Sequence, residues 1–173
     1  MTEPSPGESV SLEGGQEGPP LEPCYVLEVG GIRFALPLEA LQRVHRIDEV
    51  TPVPRAPQHV TGVALVQNEV VACLDLGCLA GRGALPPGPC IAALVDGPGL
   101  RAALLAREVG AMTALDPLHL RPLPAELAQR LGAAARGHAV LEGGKAAAVV
   151  LDLAGLLAPL PRWTPVEAAA HGG

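Results

Sequence analysis

Aromatic residues are almost absent: Tyr25, Phe34 and Trp163 are the only three in 173 residues. Any core must therefore be aliphatic, and a platform for stacking bases has no basis. Serine is confined to Ser5, Ser9 and Ser11, so a Ser nucleophile on a G-x-S-x-G elbow is excluded. Also missing are G-x-x-x-x-G-K-[ST], G-x-G-x-x-G after a strand, and H-E-x-x-H. Those motifs bring phosphate, dinucleotide or zinc chemistry, and without them no catalytic residue, cofactor or metal is expected. Cys24, Cys73, Cys78 and Cys90 form no C-x-x-C pair and have no His at ligand spacing. Three of them lie in apolar runs, where a free Cys behaves as a small hydrophobe. His45, His59, His119, His138 and His171 are isolated and read as surface or loop residues. A Cys nucleophile with a distant His is not ruled out by spacing, so a Cys-dependent β-barrel enzyme is the rival from another class. No apolar run reaches the roughly 18 residues of a membrane span. The start, Met-Thr-Glu-Pro-Ser-Pro, lacks the basic and apolar regions of a signal peptide. The expectation is a cytoplasmic protein with reduced thiols and no direct membrane insertion.

Positive charge is missing where negative charge gathers. Residues 1–23 carry five Glu and no Lys or Arg, whereas residues 24–161 carry eleven basic and twelve acidic residues. The net charge of −6 therefore belongs mostly to the N-terminal stretch, and the remainder is close to neutral. Without a basic stripe to neutralise phosphates, nucleic acid is not expected as a partner. Residues 1–21 hold four Gly, four Pro and four Glu and read as a disordered acidic tail. Residues 162–173 read as a flexible C-terminus.

What is present is a series of short apolar runs. Tyr25–Val29 is followed by Gly30-Gly31, a hairpin turn in which positive φ costs little. Ile32–Leu36 alternates with period 2. Pro37 pre-sets φ for a helix start, and Leu38, Leu41 and Val44 recur at helical spacing. Val60–Val66 and Val70–Leu74 are strands joined by Gln67-Asn68. Residues 81–89, with three Pro and three Gly, form the internal boundary. Strands at Cys90–Val95 and Leu100–Leu105 follow around Gly97-Pro98-Gly99. Then come an extended Met112–Leu120, a helix over Glu126–Ala135, a turn at Gly143-Gly144, strand Ala146–Leu151 and a helix near Leu153–Leu157.

One echo organises the chain. Leu-Asp-Leu-Gly-Cys-Leu at 74–79 returns as Leu-Asp-Leu-Ala-Gly-Leu at 151–156, an offset of 77 residues. Each copy follows an apolar strand that follows a tight turn. Two similar β-subdomains, about 22–81 and 90–161, each ending in strand, Asp and short helix, account for it. Asp75 and Asp152 then sit at helix N-caps. Many short strands without βαβ alternation point to barrels or a sandwich.

The order of these pieces resembles the CheW-like family over residues 22–161. The matching stretches are Tyr-Val-Leu-Glu-Val-Gly-Gly-Ile-Arg-Phe-Ala-Leu-Pro-Leu (25–38), Leu-Gln-Arg-Val (41–44), Pro-Val-Pro-Arg-Ala-Pro (52–57), Val-Thr-Gly-Val (60–63) and Val-Val-Ala-Cys-Leu-Asp-Leu (70–76). Later come Leu100–Leu105, Leu-Arg-Pro-Leu-Pro (120–124), Gly-His-Ala-Val-Leu (137–141) and Val-Val-Leu-Asp-Leu (149–153). The resemblance implies a mainly β fold: two packed five-stranded, SH3-like β-barrel subdomains with short helices. It implies a non-enzymatic adaptor that binds the cytoplasmic tip of methyl-accepting chemotaxis receptors in an apolar groove between the barrels. It further implies contact with the regulatory domain of a CheA-type histidine kinase, or with another CheW-like protein, through the barrel ends. Carried over, the receptor groove would use Leu41, Val44, Val66 and Val71, with Leu104, Leu105 and Val109 from the second barrel. Each of these also reads as core.

Four positions depart from the family's pattern. Its V-x-E-I glutamate is Arg43, its N-L-R-G arginine and glycine are Gln67 and Asn68, and its V-D-x-V aspartate is Arg107. Where the family has an acid and a base, this chain has a base and a neutral amide. Matched charges set specificity, so a reversed sign repels the former partner. The expectation is a divergent member with altered or lost kinase coupling, of the FrzB kind. The alternative is an ordinary coupler of receptor to kinase.

Overall fold

The computed structural model describes residues 20–97, 100–108, 110–144 and 146–160. The acidic stretch up to residue 19 and the C-terminal stretch from residue 161 lie outside the described residues, as do Pro98, Gly99, Val109 and Lys145. Ten strands make two five-stranded sheets. In chain order they are β1 (Glu22–Val29), β2 (Ile32–Pro37), β3 (Leu41–Ile47), β4 (Val60–Val66), β5 (Glu69–Leu74), β6 (Cys90–Gly97), β7 (Leu100–Ala106), β8 (Ala111–Leu115), β9 (Ala135–Val140) and β10 (Ala147–Leu151). Three short helices, α1 (Leu76–Leu79), α2 (Ala125–Leu131) and α3 (Leu153–Leu157), accompany them.

The first sheet runs β8-β1-β2-β10-β9 and the second β3-β6-β7-β5-β4. All neighbours are antiparallel except β2 with β10 and β5 with β7, which are parallel. This arrangement corrects the subdomain boundaries expected from sequence. Residues 22–81 and 90–161 are repeats along the chain, but neither is a unit in space. Hairpin β1–β2 of the first repeat is set among β8, β9 and β10 of the second. Hairpin β6–β7 of the second is set among β3, β4 and β5 of the first. The repeat extends to a cross-strand ion pair. Glu28 lies opposite Arg33 on β1–β2, and Asp96 lies opposite Arg101 on β6–β7.

Each sheet curls on itself. Thr51, just after β3, bridges Val63 of β4, and Leu115 of β8 bridges Leu141 beyond β9. The expected barrels are thus strongly curled sheets closed by isolated bridges rather than by continuous ladders. Two glycines make room where connecting segments cross the outer strands. A Cβ on Gly62 would sit 2.1 Å from the Thr51 carbonyl oxygen, and one on Gly137 would sit 2.6 Å from that of Arg121.

Curling gives every central strand two apolar faces, one toward the other sheet and one into its own barrel. Between the sheets lie Leu27, Phe34, Leu36, Leu74, Val95 and Leu104. Inside the second sheet's curl lie Val66, Val71, Cys73, Leu94 and Leu105. Inside the first lie Cys24, Val26, Ala35, Leu115 and Val150. Burial on both faces explains why the strands read as unbroken apolar runs: Ala102–Ala106 is buried throughout.

The caps expected from the echo are present. Asp75 Oδ1 accepts from the Cys78 N–H and Asp152 Oδ1 from the Gly155 N–H, each at 3.1 Å. Asp75 is buried, and its Oδ2 also accepts from the Leu85 N–H at 2.6 Å. One carboxylate therefore caps α1 and pins the Pro-rich connection between the repeats.

Three local expectations are overturned, one of them the extended Met112–Leu120, in which β8 ends at Leu115 and a 3-10 turn (Pro117–His119) follows. Leu38, Leu41 and Val44 do not share a helix, because a three-residue 3-10 turn (Leu38–Ala40) leads directly into strand β3. A register shift between Leu41 and Arg43 produces the spacing of three that imitates a helical period. The helix expected over Glu126–Ala135 ends at Leu131, and β9 already begins at Ala135.

Candidate functional site

The open end of the second sheet gathers polar residues over an apolar floor. Gln42 and Arg43 come from β3, Val66 and Val71 from the β4–β5 hairpin, Gln67 from its turn, Leu94 from β6 and Arg101 from β7. They surround a depression of about 40 Å³. The shift in β3 places Arg43 opposite Leu94, a residue of the barrel interior, and places Val44 opposite Ala93, which faces the other sheet. Gln67 and Asn68 have φ of 50° and 67°, the left-handed pair that a two-residue hairpin requires. Arg101 is held by Asp96 at 2.8 Å and by Glu69. The hydrogen bond that Arg101 donates to Asp96, then the charge of Asp96 and that of Glu69, push the Arg101 pKa upward.

The divergent positions separate into two places. Arg43 and Gln67 meet at this depression, with Asn68 beside them in the turn. Arg107 lies elsewhere, with Glu108, Glu28 and Arg33 around a depression of about 430 Å³ by the β1–β2 turn. Its Nη2 donates to the Pro86 carbonyl at 2.7 Å, tying down the connection between repeats.

Of the groove residues carried over by resemblance, Leu41 and Val44 lie on the side of β3 that faces the other sheet. Leu41 is half-buried and Val44 is 37% exposed. Val66, Val71 and Leu105 are buried inside the second sheet's curl, and Leu104 is buried between the sheets. All four are buried, with Val66 and Val71 forming the floor of the depression. Val109 lies outside the described residues.

Sequence reasoning missed Leu65 and Val70, which are register partners across the β4–β5 hairpin and 70% and 67% exposed. The signal was available in the period of two. If Ala64 and Val66 point inward, Leu65 must point outward, and a one-residue slip exchanges the faces.

No thiol is activated. Burial pushes Cys73 up to about 12 and, with help from the Glu22 charge, Cys24 up to about 11. Cys78 and Cys90 are also raised, chiefly by burial. A catalytic Cys needs a lowered value, so the rival enzyme reading gains no support here. Among the described residues no group of three or more His, Cys, Asp and Glu could hold a metal, and no helix is long and apolar enough to cross a membrane. In a native thiol titration only Cys78, the one cysteine not fully buried, is expected to react promptly, and all four should react in denaturant. Rapid reaction of two or more would contradict the described packing. Between the ordinary thiol value near 9 and about 12, the folded chain keeps protons that the unfolded chain loses. Stability should therefore fall as pH rises above about 9.

Two interleaved, curled five-stranded sheets with capped strand-to-helix corners define a mainly β, SH3-like fold. The family model described as the CheW-like domain matches residues 23–159, and the chain belongs to that family. Protein FrzA of Myxococcus xanthus is 33% identical over 70 residues, covering 40% of this chain and 44% of FrzA. The chain thus matches less than half the length of that relative, and the Frz protein found is FrzA where the expectation named FrzB. The crystal structure of the scaffolding protein TtCheW from Thermoanaerobacter tengcongensis shares the fold. Its TM-score is 0.65 at 17% identity, over 80% of this chain and 88% of that one.

Proposed function

We propose that this chain is a non-enzymatic chemosensory adaptor that binds the cytoplasmic tip of a methyl-accepting chemoreceptor, with altered coupling to a CheA-type histidine kinase. The observation that carries the reading is a CheW-like scaffold with a base and a neutral amide, Arg43 and Gln67, together at one end of the second sheet. Arg43 and Gln67 share one depression at the positions where the family pattern has an acid and a base. A change of exposed polar residues over a buried apolar floor alters which partner fits more than it alters the fold. Leu41 and Val44, bordering the inter-sheet face, are the carried-over groove residues that retain exposed surface. The adaptor would work in the cytoplasm beside receptor arrays.

The test is a pair of titrations. A receptor cytoplasmic fragment from the same organism is expected to bind. The regulatory domain of a kinase from a standard chemotaxis pathway should bind roughly tenfold or more weakly than it binds an ordinary CheW. Equal, strong binding of that kinase domain would make the protein an ordinary coupler. Failure of the receptor fragment to bind would remove the adaptor reading itself.

A further inference from the structure

We infer that residues 161–167 fold back across the edge of the second sheet, with Trp163 covering Leu41 and Val44 and Glu167 pairing with Arg43. The occupant of this border between the sheets is a segment of the same chain, and it must lift before another protein can use Leu41 and Val44.

The point of departure limits where the segment can go. Leu160 is buried in the core between the sheets. Just before it, Leu157 of α3 lies against the β6–β7 turn, where a Cβ on Gly97 would sit 2.3 Å from the Leu157 Cδ1. Along β6 from that turn, Val95 stands opposite Leu41 and Leu94 opposite Arg43. Three residues of strand and one strand spacing therefore separate Gly97 from Arg43, about 10 Å along and about 5 Å across. Residues 161–167 span up to roughly 23 Å when extended, so Trp163 comes level with Leu41 and Glu167 reaches Arg43.

The surface on that path is incompletely covered. β3 is an outer strand of its sheet. Its Leu41 and Val44 turn toward the inter-sheet core but keep surface open, Val44 to 37%. Trp163 is the sole tryptophan, and a large apolar ring with one N–H suits a border that is packed on one side and wet on the other. Pro161 and Pro165 fix φ near about −65°, so less chain entropy is lost when the segment is held.

The charges match in order. Arg43 is exposed and enters no ion pair among the described residues. Next to the β6–β7 turn, Arg101 is shared by Asp96 and Glu69, which leaves one negative charge in excess. The segment brings Arg162 first and Glu167 second. Arg162 leaves beside the excess carboxylate, and Glu167 arrives at the lone guanidinium, whose planar fork takes a carboxylate with two parallel hydrogen bonds. The opposite order would set like charges together at both places. The N-terminal glutamates start from the other sheet, where Glu22 of β1 pairs with Arg136 of β9.

The sole tryptophan reports the contact in the full chain with no partner added. Wild-type emission is expected to lie to the blue of that of the same chain in denaturant, and acrylamide should quench it several-fold less than it quenches N-acetyltryptophanamide. R43E and E167K should each lower the ratio of docked to undocked segment roughly tenfold, as for loss of a charge-assisted contact, and so raise the quenching. The double variant R43E/E167K should restore protection, and high salt should weaken it in the wild type. Thermal unfolding followed by circular dichroism should not change, since Arg43 is exposed and residue 167 lies beyond α3. If R43E melts earlier, E167K alone decides. Wild-type quenching equal to that of the free analogue overturns the docking. Protection that ignores both R43E and E167K overturns the Glu167–Arg43 contact. Protection that grows with protein concentration assigns the segment to a second copy and overturns the fold-back. No outcome bears on receptor binding, so failure here leaves the adaptor reading standing.

Discussion

Cutting the chain within the Pro/Gly-rich connection, after Gly83, is expected to abolish folding of either piece alone and to restore it when the two are mixed. The reason is the exchange of hairpins. In the N-terminal piece β1 and β2 would lose β8 and β10, their outer hydrogen-bonding partners, and β5 would lose β7. The C-terminal piece would lose both partners that flank β6–β7. Each hairpin would then expose two unpaired edges and both apolar faces, and an isolated two-stranded hairpin is marginal in water. The inter-sheet core, built from Leu27, Phe34 and Leu36 on one side and Leu74, Val95 and Leu104 on the other, needs both pieces. Circular dichroism of each fragment should show no cooperative thermal transition, and the equimolar mixture should regain one. A cooperative transition in either lone fragment would mean that the repeats along the chain are folding units after all.

Phe34→Ala should cost about 3–5 kcal/mol, the usual range for removing a fully buried phenylalanine. Phe34 lies on β2, opposite Leu27 of β1 and Val149 of β10, and faces the other sheet with no exposed surface. It is the largest of the fully buried side chains, so its neighbours have no comparable group with which to fill the cavity. Against a total stability of roughly 5–15 kcal/mol, the loss should lower the melting temperature by about 10 °C or more. Leu65→Ala on the exposed hairpin face is the control and should stay within about 0.5 kcal/mol. A shift for Phe34→Ala no larger than for Leu65→Ala would place Phe34 outside the core.

The elements were largely legible in the sequence because each is bounded by residues with narrow conformational needs. Gly30-Gly31, Gln67-Asn68 and Gly143-Gly144 all adopt positive φ where turns were expected, and β4 and α3 begin and end where the apolar pattern does. The resemblance supplied the family and the number of strands. The pairing of strands was not legible. Sequence proximity favours β5 beside its own repeat's hairpin, yet β5 lies against β7 and β10 against β2, and local pattern carries no information about which hairpin fills which sheet. The β3 error has a different cause: a shift of register breaks the period of two, and Leu41 and Val44 then match a helix as well as a strand. For the site, Arg43 and Gln67 were found because they depart from the pattern of the family that the chain resembles, and the structure brings them together. The groove residues were harder to place, since in a strand buried on both faces a valine for contact and a valine for packing look alike. Arg101 became visible only once the register was known, whereas Leu65 was implied by the period of two in its strand.

The exchange of hairpins also sets an order in time. All five strands of the second sheet fall between Leu41 and Ala106, whereas the first sheet joins β1, at Glu22, to β10, which ends at Leu151. As the chain emerges during synthesis, the second sheet has its full complement of strands once residue 106 is free. The β1–β2 hairpin, made first, must wait for the last strand. Closing a contact between Phe34 and Val149 spans most of the domain, and such long-range pairing is slow. During that interval Leu27, Phe34 and Leu36 can be covered on one side by the finished sheet. Their paired edges stay open, and nascent chains halted between residues 106 and 147 are therefore the ones most exposed to misassociation.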